Sequence, residues 1–337
     1  MTRKVLVSGS GSAAARHLSL VPTFVSGAQL ANWRRQKSES DLNNPSHEVF
    51  EDSEVSSFVP EISIVASPAS EHLVQVKSLL DCGSHVLVEK PLSTSIEGVE
   101  ALFDYAAEAK RIIQVGYNLR FLDSLRVFEE LLESRKLGDI QSINIEVDQY
   151  LPDWRPNANY QSSVSATKSL GGGALLELSH EVDLAIWLFG EFQLEHASMK
   201  KLSALDIDVE DTVTAEGEFL SFQNRKPKFR ILLGMINRAP RRFCEVVGSE
   251  TSARWNGLLG TVEIFNVIDR GWDLVFENQD DVASSYERQL QVFLERIESG
   301  FIQADHESTK SHELNVLKAL DEIRAFATGH QFPGITK

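Results

Sequence analysis

The residues best suited to chemistry lie at the end of a short apolar stretch that begins at Val86 and leads into Glu89-Lys90-Pro91. A β-strand that ends there would carry a carboxylate and an amine to the carboxyl edge of a parallel sheet, where ligands of open α/β folds bind. Pro91 fixes its own φ and favours an extended Lys90, so the amine would be held in one direction, and a cis bond between the two is compatible with the sequence. An ordinary surface ion pair at a strand end is the alternative.

A glycine-rich turn follows the first predicted strand, Lys4 to Ser8, and opens a helical segment. Gly9, Gly11 and Ala14 occupy the three small positions of the pattern G-x-G-x-x-G/A. The first glycine suits a tight turn, the second lets the backbone approach a pyrophosphate, and the third small residue packs the helix on the strand. The amino end of the helix would then face the phosphates of a dinucleotide.

The next predicted strand, Ala28 to Asn32, ends without the acidic residue that usually binds the ribose hydroxyls of NAD. Trp33, Arg34 and Arg35 follow it instead. Because guanidinium groups bind phosphate in a bidentate geometry, these arginines predict a preference for NADP over NAD. The alternative is a pair of solvated loop arginines.

A further group of polar residues follows Gly171-Gly172-Gly173, in an amphipathic segment from Leu175 to Phe189. If that segment is one helix, Glu177, His180 and Asp183 share a face at a spacing of three residues. The alternatives are a structural histidine and solvated or capping acids. No fourth ligand accompanies this trio, so we expect no metal site.

If the bound dinucleotide is a nicotinamide that takes a hydride from the carbon of an alcohol, a side chain must take the proton from its oxygen. Histidine is the side chain whose usual pKa lies nearest neutrality, so we expect His180 to exchange the proton. Lys90 would polarise the reacting oxygen or share the proton. Glu89 points to the other side of an extended chain and would support the cofactor or the backbone.

Composition excludes several other classes of protein. The chain has 337 residues and a formal net charge of −16, which argues against nucleic-acid or anionic-membrane partners. A hydrophobic content of 42% and a charged content of 24% are typical of a globular protein, and the length suggests about two domains. Two distant cysteines, a start that leads directly into a strand, and the lack of an apolar run near ~20 residues together predict a cytoplasmic protein.

Strands and helices alternate as far as residue 120, which predicts a doubly wound parallel sheet. Beyond it, strand patterns follow one another with few helices between them, which predicts an antiparallel or mixed sheet. We therefore predict an α/β fold class with a dinucleotide-binding domain at 1–120 and an α+β domain at 121–337. The later predicted strands are about 192–202, 211–221, 228–237, 243–248, 261–267 and 272–276, and two helices, about 286–299 and 311–328, follow them.

In this order, the motifs resemble those of the Gfo/Idh/MocA family, named for glucose–fructose oxidoreductase, inositol dehydrogenase and a rhizopine-catabolism protein. The motifs are Gly9-Ser-Gly-Ser with Arg16-His17, Ser67-Pro68 with His72, Val86 to Pro91, Val115 to Phe121, and Gly171-Gly-Gly through His180 and Asp183. The resemblance spans nearly the whole chain. It implies an N-terminal Rossmann domain, a C-terminal domain with an open-faced, largely antiparallel sheet, and a homodimer or homotetramer built on that sheet. It also implies hydride exchange between NAD(P) and a sugar or cyclitol alcohol.

By the same resemblance, Lys90 and His180 are similar to the family's catalytic lysine and histidine. Glu177 falls where the family usually has Asp, three rather than four positions before the histidine. The loop from Tyr150 to Arg155 resembles that of a subgroup associated with nucleotide-sugar or sialic-acid-type pathways. The predicted cofactor-binding residues are Gly9, Ser10, Gly11, Ser12, Ala13, Trp33, Arg34, Arg35, Ser67, Pro68, His72, Glu89, Lys90 and Asn118. The predicted substrate-binding residues are Lys90, Asn118, Arg120, Trp154, Arg155, Tyr160, His180 and Asp183.

The leading hypothesis is an NAD(P)-dependent oxidoreductase that acts on a sugar, a nucleotide sugar or a cyclitol. One alternative is a glycosidase that oxidises and then re-reduces its sugar through tightly held NAD. The other is a non-catalytic NAD(P)-binding regulatory protein, since a fold alone does not give activity.

Overall fold

A computed structural model describes residues 2–34, 48–50, 52–278, 282–300 and 310–329 of the chain. The chain divides into two compact units. The N-terminal unit comprises Met1–Tyr117 and Glu287–Leu314, and the C-terminal unit comprises Asn118–Tyr286 and Asn315–Lys337.

Six parallel strands among the described residues form the sheet of the N-terminal unit, in the order β3-β2-β1-β4-β5-β6. The strands are β1 (Lys4–Ser8), β2 (Gln29–Trp33), β3 (Glu48–Phe50), β4 (Ile62–Val65), β5 (His85–Val88) and β6 (Ile113–Val115). The helices between them are α1 (Ser12–Phe24), α2 (Asp52–Phe58), α3 (Ala69–Asp81) and α4 (Val99–Glu108). The apolar residues of β1, β4 and β5 are buried throughout, as expected for parallel strands covered on both faces. This sheet confirms the predicted fold class for the first part of the chain.

The strand order reverses between β1 and β4, because the chain builds β2 and β3 on one side before crossing to the other. Ligands of doubly wound sheets bind outside the carboxyl ends of the strands at such a switch point. The glycine turn follows β1 and the Glu89-Lys90-Pro91 segment follows β5, so both lie at the carboxyl edge of this sheet.

Eight strands of the described chain form the sheet of the C-terminal unit, in the order β14-β13-β12-β11-β7-β10-β9-β8. They are β7 (Ile140–Asp148), β8 (Phe192–Lys200), β9 (Thr212–Phe219), β10 (Lys228–Gly234), β11 (Arg241–Gly248), β12 (Ser252–Asn256), β13 (Thr261–Asn266) and β14 (Gly271–Glu277). The helices of the rest of the chain are α5 (Asp123–Glu133), α6 (Ala174–Glu177), α7 (His180–Phe189), α8 (Val282–Ser299) and α9 (Lys310–Thr328). The pair β7–β10 is parallel and the other neighbouring pairs are antiparallel, which confirms the predicted largely antiparallel sheet.

The two faces of this second sheet differ. Along β7, Ile143, Ile145 and Val147 are buried, whereas the alternate residues Asn144 and Glu146 are partly exposed. Helices α5 and α7 pack against strands of this sheet. The alternation therefore separates a helix-covered face from an open face.

Strand β12 is missing from the predicted strands. It forms a hairpin with β11, and its Trp255 is fully buried with the indole Nε1 donating to Ser124 Oγ at 3.0 Å. The partner that fixes the buried indole lies far away in sequence. The five residues of β12 alone therefore gave too weak a pattern to predict a strand.

Helix α8 joins the core of the N-terminal unit. Its Leu290, Phe293 and Leu294 belong to the same buried apolar cluster as Val5 and Val7 of β1. The predicted domains, 1–120 and 121–337, are continuous stretches of chain, whereas this packing assigns Glu287–Leu314 to the N-terminal unit. No helix within the described ranges is long and apolar enough to cross a membrane.

Candidate cofactor and catalytic sites

The glycine turn after β1 requires its first glycine. Gly9 has a φ of +102°, and a Cβ at this position would lie 2.3 Å from the carbonyl oxygen of Ala66. Its backbone N–H donates to the carbonyl of Trp33 at 2.9 Å. The obstructing atom belongs to the backbone after β4, so it cannot move aside as a side chain could.

The second glycine is not required by protein packing. Gly11 has a φ of −84°, which any residue adopts, and a Cβ there would meet no protein atom within 4 Å. Gly11 is the N-cap of α1, and as a glycine it offers no side chain to cap the first N–H groups of the helix. Open space at the amino end of a helix, toward which its first N–H groups point, fits the pyrophosphate of a dinucleotide. The neighbouring Ser10 and Ser12 are exposed, and Ala13 is half-buried.

Asn32 holds the glycine turn from the end of β2. Its side chain is fully buried, and its Nδ2 donates to the carbonyls of Val7 at 2.8 Å and Gly9 at 3.0 Å. The sequence shows that the usual acid is absent here, but it does not reveal that Asn32 stabilises the turn through hydrogen bonds.

The first of the two arginines predicted to bind a 2′-phosphate contacts Asn32. Arg34 is half-buried, and its Nε donates to the side-chain oxygen of Asn32. Trp33 is buried, and it contributes its carbonyl to the turn. Arg35 lies outside the described residues.

A buried histidine contacts the residue before Lys90. His17 of α1 is fully buried, and its Nε2 lies 2.9 Å from Oε1 of Glu89. Burial by itself raises the pKa of Glu89, but the hydrogen bond from His17 and the nearby charges of His17, Lys90 and Arg16 outweigh it and lower the pKa overall. Glu89 is therefore held as a carboxylate.

A second buried histidine contacts the residue after Lys90. The bond between Lys90 and Pro91 is cis. His72 of α3 faces the carbonyl of Pro91 through Nδ1 at 2.9 Å and the carbonyl of Ser67 through Nε2 at 2.8 Å. Burial lowers the pKa of His72, and its two backbone hydrogen bonds oppose that shift only in part. The predicted cofactor residue His72 thus faces backbone carbonyls with both ring nitrogens, of which a neutral ring donates to one.

Gln75 links the loops after β1 and β4, and it was missed in the sequence. Its Oε1 accepts hydrogen bonds from Ser8 Oγ at 2.8 Å and from Ser67 Oγ at 2.9 Å. Pro68, the N-cap of α3, follows in an extended conformation. The predicted cofactor residues Ser67 and Pro68 are thereby fixed at the edge of the sheet.

The segment that carries Glu177 and His180 is two helices. The single helix from Leu175 to Phe189, on which the shared face was conditional, is not present: α6 ends at Glu177, and α7 begins at His180. Leu178 has φ −104° and ψ 26°, and this local departure separates the two. His180 is half-buried at the amino end of α7. Glu177 therefore lies on a different helix from His180 and Asp183, and only the latter two keep the three-residue spacing within one helix.

Glu177 is held by a loop residue. Oε2 of Glu177 accepts a hydrogen bond from Ser165 Oγ at 2.7 Å. A Cβ at Gly172 would lie 2.2 Å from the carbonyl of Val164, and Gly173 N–H donates to the Ser165 carbonyl at 3.1 Å. The glycine run thus brings the loop close enough for Ser165 to contact α6.

Two residues predicted to bind substrate bind each other. Arg120 donates through Nε to Asp183 Oδ2 at 3.0 Å and through a second nitrogen to the other oxygen of the carboxylate. Both side chains are about fully buried, at 1% exposure. The nearby Asn118 donates to Ser285 Oγ at 2.7 Å and is buried as well.

Three further predicted substrate residues share a pocket. Trp154, Arg155 and Tyr160 line a cavity of about 210 Å³ in the C-terminal unit, together with Ser165. Trp154 donates through Nε1 to the carbonyl of Gln149 at 3.1 Å, which fixes the indole, whereas Arg155 is exposed. Ser165, which lines the pocket, therefore links it to Glu177 through a hydrogen bond.

A second buried ion pair on α7 was also missed. Glu181 is buried, and its Oε1 accepts from Arg242 Nε of β11 at 2.7 Å. No group of three or more potential metal-ligating side chains is found among the residues that the structure describes.

The fold and these sites define a dinucleotide-binding α/β protein with a second, sheet-based domain. Residues 3–117 match the model of the oxidoreductase family with an NAD-binding Rossmann fold, and residues 125–254 match the C-terminal domain model of the same family. The chain belongs to the Gfo/Idh/MocA family of oxidoreductases, which confirms the resemblance seen in the sequence.

Similar proteins of known name include sugar dehydrogenases. Levoglucosan dehydrogenase of Pseudarthrobacter phenanthrenivorans is 30% identical over 142 residues, 41% of this chain and 36% of that protein. Glucose-6-phosphate 3-dehydrogenase of Bacillus subtilis is 26% identical over 196 residues, 56% of this chain and 54% of that protein. The chain thus matches about a third to a half of the length of these relatives.

Solved structures share the fold over nearly the full length. A levoglucosan dehydrogenase in complex with NADH has a TM-score of 0.81 at 17% identity and covers 98% of each chain. The WlbA dehydrogenase of Bordetella pertussis in complex with NADH and UDP-GlcNAcA has a TM-score of 0.79 at 17% identity and covers 100% of each chain.

Proposed function

We propose that this protein is an NAD(P)-dependent dehydrogenase or reductase that transfers a hydride between nicotinamide and an alcohol or ketone carbon of a sugar, nucleotide sugar or cyclitol. The observation that carries the proposal is the 2.9 Å bond between His17 and Glu89. It joins the helix that begins at the glycine turn to the residue beside Lys90. The names of the related sugar dehydrogenases support the substrate class.

The cofactor supplies hydride acceptance or donation when it is bound. The residues that would hold it are the Gly9–Ala13 turn, through its backbone, and the loop at Ser67. In this proposal the His180 imidazole takes the hydroxyl proton during oxidation and returns it during reduction. The Nζ of Lys90 donates a hydrogen bond to the reacting oxygen, which stabilises negative charge as it develops there. Glu177 is assigned a supporting role, and the hydrogen bond that it accepts from Ser165 holds its carboxylate in place.

The cofactor preference is proposed to be NADP. Arg34 is held beside the glycine turn by Asn32, where a guanidinium can meet a 2′-phosphate. Initial rates with NAD and NADP test this directly. A KM for NADP about tenfold or more below that for NAD, lost in Arg34→Gln, is expected from the loss of one charged phosphate contact. A lower KM for NAD would reject the preference.

The substrate is proposed to enter the pocket of Trp154, Arg155 and Tyr160. An indole and a phenol suit the apolar face of a sugar ring, and an exposed guanidinium suits a carboxylate or phosphate on it. Because Arg120 and Asp183 neutralise each other, Arg155 is the better candidate for an anionic group.

The experiment has two parts. An absorbance scan of the purified protein reports any cofactor that co-purifies, and a panel of sugars, sugar phosphates, nucleotide sugars and cyclitols is then followed at the nicotinamide band. Lys90→Ala and His180→Ala should each leave folding intact and lower turnover by about a hundredfold or more. Turnover near that of the unmodified protein in either variant would remove that residue from the mechanism.

The same panel separates the alternatives. A glycosidase with transient redox would release product without net change in NADH, and a regulatory protein would bind cofactor without turnover.

Self-association through the open face of the C-terminal sheet, as a homodimer or homotetramer, is also proposed. Light scattering coupled to size-exclusion chromatography measures it, and a monomer at all concentrations would reject it.

A further inference from the structure

Lys90 stands between two residues that are each bonded to a buried histidine. Glu89, before it, contacts Nε2 of His17 at 2.9 Å, and Pro91, after it, contacts Nδ1 of His72 at 2.9 Å. The exposures of His17 and His72 are 0% and 1%. We call these two side chains the histidine clamp.

The histidine clamp ties the Lys90 segment to two other loops at the carboxyl edge of the sheet. His17 is on α1, whose N-cap is Gly11 of the glycine turn. His72 is on α3 and also contacts the carbonyl of Ser67 at 2.8 Å, in the loop after β4. Displacement of either loop would therefore be transmitted to the backbone on one side of Lys90.

The two histidines use different nitrogens for these contacts. The bond of His17 to Glu89 uses Nε2, whereas the bond of His72 to Pro91 uses Nδ1. A carbonyl oxygen only accepts, so the nitrogen that faces Pro91 must carry the proton for a bond to form. Each contact therefore depends on one defined ring atom.

We propose that His17 and His72 are positioning residues that hold the amine of Lys90 in one orientation at the cofactor edge. This inference rests on the proposed role of Lys90 in hydride chemistry. Neither histidine needs to touch the reacting atoms, because each acts through a backbone or side-chain neighbour of Lys90. The fixed direction of the Lys90 amine comes from both sides of the segment rather than from Pro91 alone.

The nitrogen used by each histidine defines matched substitutions. The side-chain amide of Gln can approximate Nε2 of histidine, and that of Asn can approximate Nδ1. His17→Gln and His72→Asn should therefore keep the bond to the Lys90 segment. His17→Asn and His72→Gln should lose it while introducing a side chain of the same chemical type.

The readout is the reactivity of Lys90 toward acetic anhydride, measured by mass spectrometry of peptides in the full-length protein and normalised to the exposed Lys201. In His17→Asn and His72→Gln, acetylation of Lys90 should rise about fivefold, the population change expected from the loss of one hydrogen bond. In His17→Gln and His72→Asn, it should stay within about twofold of the unmodified protein, since the bond is retained.

His85→Gln is the control, because His85 lies at the opposite end of β5 and bonds the backbone of Ile112. It reports the effect of a histidine change on the strand without touching the neighbours of Lys90. Melting temperatures of all five variants identify any that unfold.

Equal Lys90 reactivity in the four clamp variants, with melting temperatures that show each is folded, would overturn the inference. An equal rise in Lys90 acetylation in all four variants would also overturn it. A general loss of packing at either histidine would raise acetylation regardless of which ring nitrogen the new amide replaces. The labelling needs no substrate, so an altered Lys90 in a protein without turnover would reject the proposed function and leave the histidine clamp standing.

Discussion

Asn32 has a carboxamide where dinucleotide folds that prefer NAD usually have a carboxylate. Asn32 differs from that carboxylate in two ways, and the first is that it carries no negative charge. The second is that its side chain donates hydrogen bonds: Nδ2 of the fully buried Asn32 donates to the carbonyls of both Val7 and Gly9. A carboxylate cannot donate either bond.

Asn32→Asp should therefore not convert the protein to an NAD-preferring one. Two buried carbonyls would lose their donor and face a negative charge, so the free energy of unfolding should fall by about 1–3 kcal/mol. Binding of NAD and NADP should weaken together, because the glycine turn is disturbed for both. Urea unfolding and titration calorimetry measure these effects, with the exposed Asn224→Asp as control. A gain in NAD affinity at unchanged stability would contradict the role given to Asn32.

His72 and Glu89 should make the protein less stable in acid. Both have a lowered pKa in the folded state, His72 because it is buried and Glu89 because His17 and nearby cations stabilise its charge despite burial. A lowered folded pKa gives stability that is present above the usual pKa and is lost as pH falls through the folded pKa. The loss therefore begins below about pH 6.5 for His72 and below about 4.5 for Glu89.

The measurement is the free energy of unfolding between pH 7 and pH 4, from urea titrations. His72→Asn should flatten the upper part of that decline, because Asn does not titrate, and the exposed His196→Asn should leave the curve unchanged. A decline of the same steepness in His72→Asn would exclude His72 as its source.

At the scale of elements, local patterns predicted most of the fold. The parallel strands are continuous apolar runs, and the glycine turn is a short motif, so both can be recognised without tertiary information. The break between α6 and α7 could not be predicted this way. The backbone leaves helical geometry at Leu178, and Glu177 is bonded by Ser165, which lies twelve residues earlier in the sequence.

The candidate site was predictable in its residue types but not in its pairings. Lys90 and His180 were recognised from motifs, and their roles stay predictions. Arg120 and Asp183 were predicted as substrate residues, yet they lie 63 positions apart in sequence and bind each other. No local pattern indicates which buried charge will meet which.

Helix α7 should depend on that pair for stability. Removing one partner leaves an uncompensated buried charge, so Arg120→Met should lower the free energy of unfolding by about 3–5 kcal/mol. The double variant Arg120→Met with Asp183→Leu should recover most of the loss, because no charge remains buried. Urea unfolding of both single variants and the double variant measures the coupling.

The exposed pair of Arg230 and Glu216 provides the comparison, at 4.0 Å and with both side chains about half exposed. Arg230→Met should change stability by less than about 1 kcal/mol. If Arg120→Met were equally mild, the ion pair with Asp183 would not be what anchors α7.

At the scale of the whole molecule, the N-terminal unit is built from two separate stretches of chain. The nucleotide-binding sheet is complete by β6, but its apolar core also contains Leu290, Phe293 and Leu294 of α8. The first stretch alone would therefore leave apolar surface of its core exposed. If the cofactor binds at the glycine turn as proposed, we expect its binding to depend on α8.

Phe293→Ala tests this dependence. Phe293 is fully buried in the cluster that includes Val5, Val7 and Ala14, which lie in the strand and helix on either side of the glycine turn. Loss of the ring should lower the free energy of unfolding by about 3–5 kcal/mol. It should also weaken NADP binding, because β1 and α1 lose a common packing partner. Phe326→Ala on α9, where the ring is 37% exposed, should cost clearly less. Equal effects of the two substitutions, or a large loss of stability with unchanged NADP affinity, would show that α8 stabilises the chain without shaping the cofactor turn.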